Sequence, residues 1–339
     1  MGGQTRPDAR RRHPGRPWSD RGDPAALGVD VGATKTSFGA IGPDGVLWES
    51  ETIATPVGRP PAEFSRELTT RIEQRWGRPV ARTPPLGIGV AGQVGPDGTV
   101  TFAPHLDWHD VPLRALLAAA RSGPVTVLND VQAATFGEWR YGAGRGLDNL
   151  VALFLGTGVG GGMIVDGELW RGAGGCAGEF GHLMVERGGR PCPCGSSGCL
   201  DAYVGGAAIA GRAREAVLQD PTRGRRLSDL AGGPGSITAE TVVRACLGGD
   251  ALATRLVEET IDHLVDGLVS IVNSVNPQAV VVGGGVLRGL GSKLPDLERR
   301  VRSRVLPAAA KGLRVVPASL GAESAVVGAA AFARAEAGG

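Results

Sequence analysis

Apolar residues gather in two runs that end on glycine and are followed at once by a returning strand. The first is Ala25 to Gly32, AALGVDVG, with a return over Thr36 to Ile41, a GPDG turn at Gly42 to Gly45 and an alternating stretch from Val46 to Thr55. This pattern predicts three strands joined by tight turns. A helix is expected from Ala62 to Trp76, where Phe64, Leu68 and Ile72 recur at helical spacing. A buried strand (Leu86 to Val90), a helix (Val111 to Arg121), a strand (Val125 to Leu128) and a helix (Val131 to Tyr141) complete the first set. The second set opens with Leu150 to Leu155, LVALFL, returns over Gly161 to Val165 and turns at Asp166-Gly167. It continues through a long helix (Ala251 to Val275), a strand (Ala279 to Val282), a helix (Lys293 to Val305), a strand (Leu313 to Pro317) and a last helix (Glu323 to Ala335). A hairpin-first unit followed by βα crossovers thus occurs twice. Such a repeat predicts two similar α/β lobes with a ligand cleft between them.

Composition narrows the partners. The formal net charge is +2, which argues against nucleic acid as the main partner. The basic excess sits in the first 23 residues, where Arg6, Arg10, Arg11, Arg12, Arg16 and Arg21 outweigh Asp8, Asp20 and Asp23. With Pro7, Pro14 and Pro17 and almost no aliphatic residues, this stretch reads as a disordered tail over residues 1–24. Contact with DNA or a membrane surface is the other use of such a tail. No secretory h-region and no apolar run of about 18 residues is found, so no membrane partner is expected. Of the five cysteines, Cys192, Cys194 and Cys199 are packed together, while Cys176 and Cys246 stand apart. An odd, clustered set without a signal peptide points to metal binding in a cytoplasmic protein.

Three groups of residues carry candidate chemistry. The first is a pair of glycine turns at matching points of the repeat. DVGATK supplies Asp30, Gly32, Thr34 and Lys35; LGTGVGGG supplies Gly156, Thr157, Gly158 and Gly160. Glycines let backbone N–H groups converge on phosphate oxygens, and the threonines add hydroxyl donors. Asp30 could hold Mg²⁺ through water, and Lys35 could offset phosphate charge. Either turn alone is equally well a plain tight hairpin. Neither is a P-loop or a dinucleotide fingerprint. A third run, Gly283-Gly284-Gly285, would face adenine and ribose, or simply turn a strand into a helix.

The second group is a metal constellation, in GEFGHLMVERGGRPCPCGSSGCLD. His182 with Cys192, Cys194 and Cys199 would complete a tetrahedral Zn²⁺ shell without an open position, so the metal would be structural. His182 also ties that site to the adjacent Glu179. Free buried cysteines, or a Cys192–Cys199 disulfide, are the alternatives. The third group is Asn129-Asp130 at the end of a buried strand. A carboxylate there can take a proton from an attacking hydroxyl. The same dipeptide also suits a helix N-cap.

Taken together, these motifs resemble the ROK family of sugar kinases and related repressors. The resemblance runs from about Ala26 to the C-terminus and rests on the DxGxTK turn at Asp30 to Lys35, Asn129-Asp130, the LGTGxGGG turn at Leu155 to Gly162, the ExGH box at Glu179 to His182 and the CxCGxxGC loop at Cys192 to Cys199. It implies the duplicated two-lobed fold of the actin/hexokinase (ribonuclease H-like) type. The expected lobes are a smaller one over 25–128, completed by about 320–339, and a larger one over 129–319 with its zinc loop at 179–201. By the resemblance, ATP and a sugar are the small-molecule partners, Mg²⁺ and structural Zn²⁺ the cofactors, and Asp130 the general base. Asn129, Glu179 and His182 would bind ring hydroxyls, and Gly92-Gln93 would close over the sugar. His105 stands where the family commonly has Asn, and Asp201 where it usually has a sugar-contacting Glu. The expected reaction is glucokinase-like transfer to a 6-hydroxyl. Mannose, an N-acetylhexosamine, fructose or a cyclitol are the alternative acceptors, and polyphosphate an alternative donor. A sugar sensor without catalysis and an actin-like ATPase are the rival classes. The stretch before Ala26 is too short for the repressors' helix-turn-helix domain. The family also suggests a homodimer or a homotetramer.

Overall fold

The computed structural model describes residues 23–76 and 83–338. All but the last two residues of the expected tail lie outside that part. The chain forms two compact units. One gathers the chain up to Gly146 with Leu169–Ala177 and Ser319 onward; the other gathers Leu147–Glu168 and Gly178–Ala318.

The first unit begins with β1 (Ala26–Val31), β2 (Lys35–Ile41), β3 (Leu47–Ala54) and α1 (Pro61–Trp76). Next come β4 (Leu86–Val90), β5 (Gln93–Val94), β6 (Val100–Ala103), β7 (Trp108–Val111), α2 (Leu113–Ala120), β8 (Val125–Asn129) and α3 (Asp130–Tyr141). Its main sheet has the order β3-β2-β1-β4-β8. The two hairpin pairs are antiparallel, while β1–β4 and β4–β8 are parallel. The parallel strands are continuous apolar runs with glycine, as burial on both faces demands. Parallel register sets Val31 beside Val90 and Val90 beside Asn129, so the segments after β1, β4 and β8 leave from one edge of the sheet.

The second unit contains β9 (Leu150–Leu155), β10 (Val159–Val165), β11 (Glu168–Leu169), α4 (Asp201–Val204), α5 (Gly206–Gln219), α6 (Pro221–Ala231) and α7 (Ala239–Leu247). It continues with α8 (Ala251–Val275), β12 (Ala279–Gly283), α9 (Gly285–Arg288), α10 (Leu294–Arg302), α11 (Pro307–Ala310) and β13 (Arg314–Pro317). Its sheet order, β11-β10-β9-β12-β13, repeats that of the first, hairpin and then parallel crossovers. Helix α8 spans the core. Asp250 caps it by accepting from the Ala253 N–H at 2.8 Å, and Asn276 ends it in the left-handed region at φ 51°.

The last helix, α12 (Ser324–Glu336), returns to the first unit. It lies directly on β1 and β4. A Cβ at Gly28 would stand 2.0 Å from the Val326 carbonyl oxygen, and one at Gly87 would stand 1.8 Å from that of Ala329. Close backbone approach is therefore what these strand glycines permit. Glu138 on α3 is fully buried, and five hydrogen bonds satisfy it. It accepts from the N–H groups of Ala143, Ser319 and Leu320 and from the Ser319 and Ser324 hydroxyls. A buried carboxylate persists only when satisfied in this way.

Two stretches differ from the sequence expectation. Val111 ends a strand and α2 begins at Leu113, because Pro112 disfavours the helical conformation at the residue before it. The helices α4 to α7 are additional. Among the described residues no helix is long and apolar enough to cross a membrane.

Candidate active site

In the first unit the candidate residues meet at the edge where β1, β4 and β8 end. The DVGATK turn is tight: the Gly32 N–H donates to the Lys35 carbonyl at 3.0 Å. Thr55 braces it from β3's end, its hydroxyl donating to the Gly32 carbonyl at 2.8 Å and its N–H to that of Thr34 at 3.0 Å. Among the described residues the N–H groups of Ala33 and Thr34 donate no hydrogen bond, so they remain for an anion.

Asn129 caps α3. Its Oδ1 accepts from the Val131 and Gln132 N–H groups at 2.8 and 3.0 Å, and its Nδ2 donates to the Gly92 carbonyl at 3.0 Å. The two readings of the dipeptide therefore fall on different side chains: Asn129 is the cap, and Asp130 carries the carboxylate. With both Oδ1 lone pairs used, Asn129 can offer a ligand one remaining N–H and no acceptor. Asp130 is half-buried in the first turn of the helix, where the helix dipole favours negative charge. Its Oδ1 accepts from the Val131 N–H at 2.9 Å. Asp30 is its electrostatic neighbour: burial first, and then the charge of Asp130, push the Asp30 carboxyl up to about 7. The Asn129 bond ties Gly92 to this group, and Gln93 follows it, exposed. His105 sits on the single turn Pro104–Leu106, exposed, and shares no hydrogen bond with the others among the described residues.

In the second unit the LGTGVGGG turn closes with the Gly156 N–H donating to the Gly158 carbonyl at 2.9 Å. Among the described residues Thr157 and Gly158 donate no hydrogen bond from their N–H groups. Gly284 lies against the start of this turn. It has φ +95°, and a Cβ there would stand 2.2 Å from the Leu155 carbonyl oxygen. Gly283-Gly284-Gly285 is thus a strand-to-helix turn in contact with the strand that enters the LGTGVGGG turn.

His182, Cys192, Cys194 and Cys199 bring their ligand atoms within 4.8 Å of one another. His182 Nδ1 stands 3.6 Å from Cys192 Sγ, and Cys194 Sγ stands 3.7 Å from Cys199 Sγ. A tetrahedron with metal–sulfur bonds of about 2.3 Å and a metal–nitrogen bond of about 2.0 Å has edges of roughly 3.8 and 3.6 Å. The donor set therefore fits zinc in chemistry, and these two edges match such a tetrahedron. With Nδ1 on the metal side, His182 Nε2 faces Glu179 Oε2 at 4.0 Å. Burial raises the Glu179 carboxyl above its ordinary range, and His182 pulls the other way.

Comparison with known proteins identifies the family. The ROK family profile matches residues 26–336. The chain belongs to the ROK family. Glucokinase from Thermotoga maritima is 33% identical over 316 residues, covering 92% of this chain and 98% of the relative. Glucokinase from Streptomyces coelicolor is 34% identical over 317 residues, covering 91% and 97%. Among solved structures, the ROK family glucokinase from Streptomyces griseus in complex with glucose and AMPPNP matches with a TM-score of 0.78 and 33% identity, over 91% of this chain and 99% of that one. The fold of this ROK protein is accordingly the duplicated, two-lobed actin/hexokinase-like one.

Two polar residues of this ROK protein's site escaped the sequence reading. Thr55 looks like any strand-end threonine until its bonds to the DVGATK turn are seen. Gln132, two residues past Asp130, is buried and donates to the Gly175 and Ala177 carbonyls at 2.9 and 3.0 Å. Neither has a local spacing signal.

The Asp30 shift gives a pH prediction. A folded-state pKa raised from 3.8 to about 7 means that the folded chain binds the extra proton between those values. Stability from this group therefore falls as pH rises through that window. D30N removes the penalty, so it raises the melting temperature of the ligand-free protein more at pH 8 than at pH 5. An equal effect at both pH values contradicts the assignment.

Proposed function

We propose that this ATP-dependent sugar kinase transfers the γ-phosphate of ATP to the 6-hydroxyl of a hexose, glucose foremost, with Asp130 as the general base. The observation that carries the reading is Asp130 itself: half-buried, at a helix N-terminus, beside Asp30 and at the sheet edge that bears the DVGATK turn. The glucokinase relatives and the glucose and AMPPNP of the solved relative support both acceptor and donor.

Asp130 takes the proton of the sugar hydroxyl as its oxygen bonds to the γ-phosphorus and the bond from that phosphorus to the ADP oxygen breaks. The spare N–H of Asn129, Glu179 and His182 Nε2 orient the ring hydroxyls, and Gly92-Gln93, tied to Asn129 through the Gly92 carbonyl, close over the sugar. The unused N–H groups of the two glycine turns, with Thr34, Thr157 and Lys35, cradle the phosphates. Mg²⁺, when bound, neutralises phosphate charge. Asp30 would hold it, since hard oxygen ligands beside a second carboxylate suit that ion. His182, Cys192, Cys194 and Cys199 would hold a structural Zn²⁺, fixing the ring of His182 through Nδ1.

An acceptor panel tests the reading. With ATP, kcat/KM for glucose exceeds that for mannose, N-acetylmannosamine, fructose and inositol, measured by ADP release. A higher kcat/KM for one of the others reassigns the sugar, and no turnover with any of them overturns the kinase reading.

A further inference from the structure

We infer that Asp201 is a positioning residue for the donor phosphates, holding the LGTGVGGG turn in shape through its Oδ1. The inference rests on the kinase reading above and deepens it. Asp201 opens α4, two residues after Cys199 of the metal loop. Its Oδ1 accepts from the Val159 N–H at 2.6 Å, a charge-assisted bond to the first residue of β10, where the turn ends.

The same α4–α5 junction holds the turn's other side. The Gly206 N–H donates to the Gly156 carbonyl at 3.0 Å, and the Ala207 N–H donates to the Thr157 carbonyl at 2.9 Å. These bonds use both carbonyls and the Val159 amide. They leave the N–H groups of Thr157 and Gly158, which are the donors a phosphate needs. Gly158 admits the carboxylate: a Cβ there would stand 2.8 Å from Asp201 Oδ1. The short side chain matters too. A glutamate in its place carries its carboxylate one methylene further and would have to fold back to reach the same amide. The turn of this chain is therefore braced by an acid that follows directly from the metal loop, so the loop's order is transmitted to the nucleotide end of the site.

The test separates a brace from a sugar ligand. D201A raises the KM for ATP roughly tenfold or more, the scale of a lost hydrogen bond to a charged group, and leaves the KM for glucose unchanged. D201N retains an oxygen for the Val159 N–H and recovers most of the ATP affinity. G158A, which crowds the carboxylate, weakens ATP in the same way as D201A. AMPPNP binding by calorimetry, without sugar, reads the same ranking independently of turnover and remains available should D201A misfold, since D201N and G158A then carry the comparison. A rise in glucose KM with ATP KM unchanged, or D201N behaving like D201A, overturns the inference. A wild-type protein that binds AMPPNP but phosphorylates no sugar would instead defeat the kinase reading and leave the brace measurable.

Discussion

The D130N enzyme turns over roughly 10²–10⁴-fold more slowly than wild type, the usual range for loss of a general base, while glucose binds with nearly unchanged affinity. The substitution is close to isosteric, and an asparagine oxygen still accepts from the Val131 N–H that Asp130 Oδ1 meets at 2.9 Å. The start of α3 survives because its cap is Asn129, whose Oδ1 holds the Val131 and Gln132 amides through separate bonds.

 Asn129 cannot substitute as the base, having no acceptor left, whereas Asp30 is the one other carboxyl identified beside Asp130. Steady-state kcat and calorimetric glucose binding decide the matter. If D130N keeps turnover within tenfold and D30N loses it, the base is Asp30.

Removing the proposed Zn²⁺ lowers the melting temperature by roughly 6–12 °C. This follows if the loop contributes about a third of the ~10 kcal/mol that structural zinc supplies to small domains, at roughly 2–4 °C per kcal/mol for a unit of this size. The reason lies in burial. From His182 to Ser197 only Cys192 is buried, so the loop has almost no core of its own. Its backbone bonds are few and local, such as the Cys192 N–H to the Ser196 carbonyl at 2.9 Å and the Val185 N–H to the Gly198 carbonyl at 2.8 Å. Chelation with a strong zinc ligand, followed by thermal melting and metal analysis, checks this. A C199S variant supplies a second route to the same loss. A folded, active protein without bound metal would contradict it.

The hairpin-first repeat was legible in the chain because period-two alternation, apolar runs and glycine punctuation act locally. Helix α8 was legible to its end residues, since Asp250 and Asn276 bracket a long apolar stripe. The small sheet β5-β6-β7 was not, because strands of two to four residues carry too little pattern to register. Helix α6 was hidden for another reason: PTRGRRLSDLA buries only Gly224 and Leu227, so its apolar face is too thin to read. The candidate metal ligands stand out as residue types, but which nitrogen of His182 faces the sulfurs depends on its ring orientation. The Thr55 bonds, the Glu138 bonds to Ser319, Leu320 and Ser324, and the Asp201 bond to Val159 join residues up to 186 apart, and no local window contains them.

The central claim is that Asp130 stands at the acceptor hydroxyl, and a crystal structure of the protein with glucose and AMPPNP tests it most directly. The account predicts an Asp130 carboxylate oxygen about 2.6–3.2 Å from the sugar's 6-oxygen, with that oxygen facing the γ-phosphate. A glucose bound with its 6-hydroxyl turned to another side chain, and Asp130 out of hydrogen-bond reach, would contradict it.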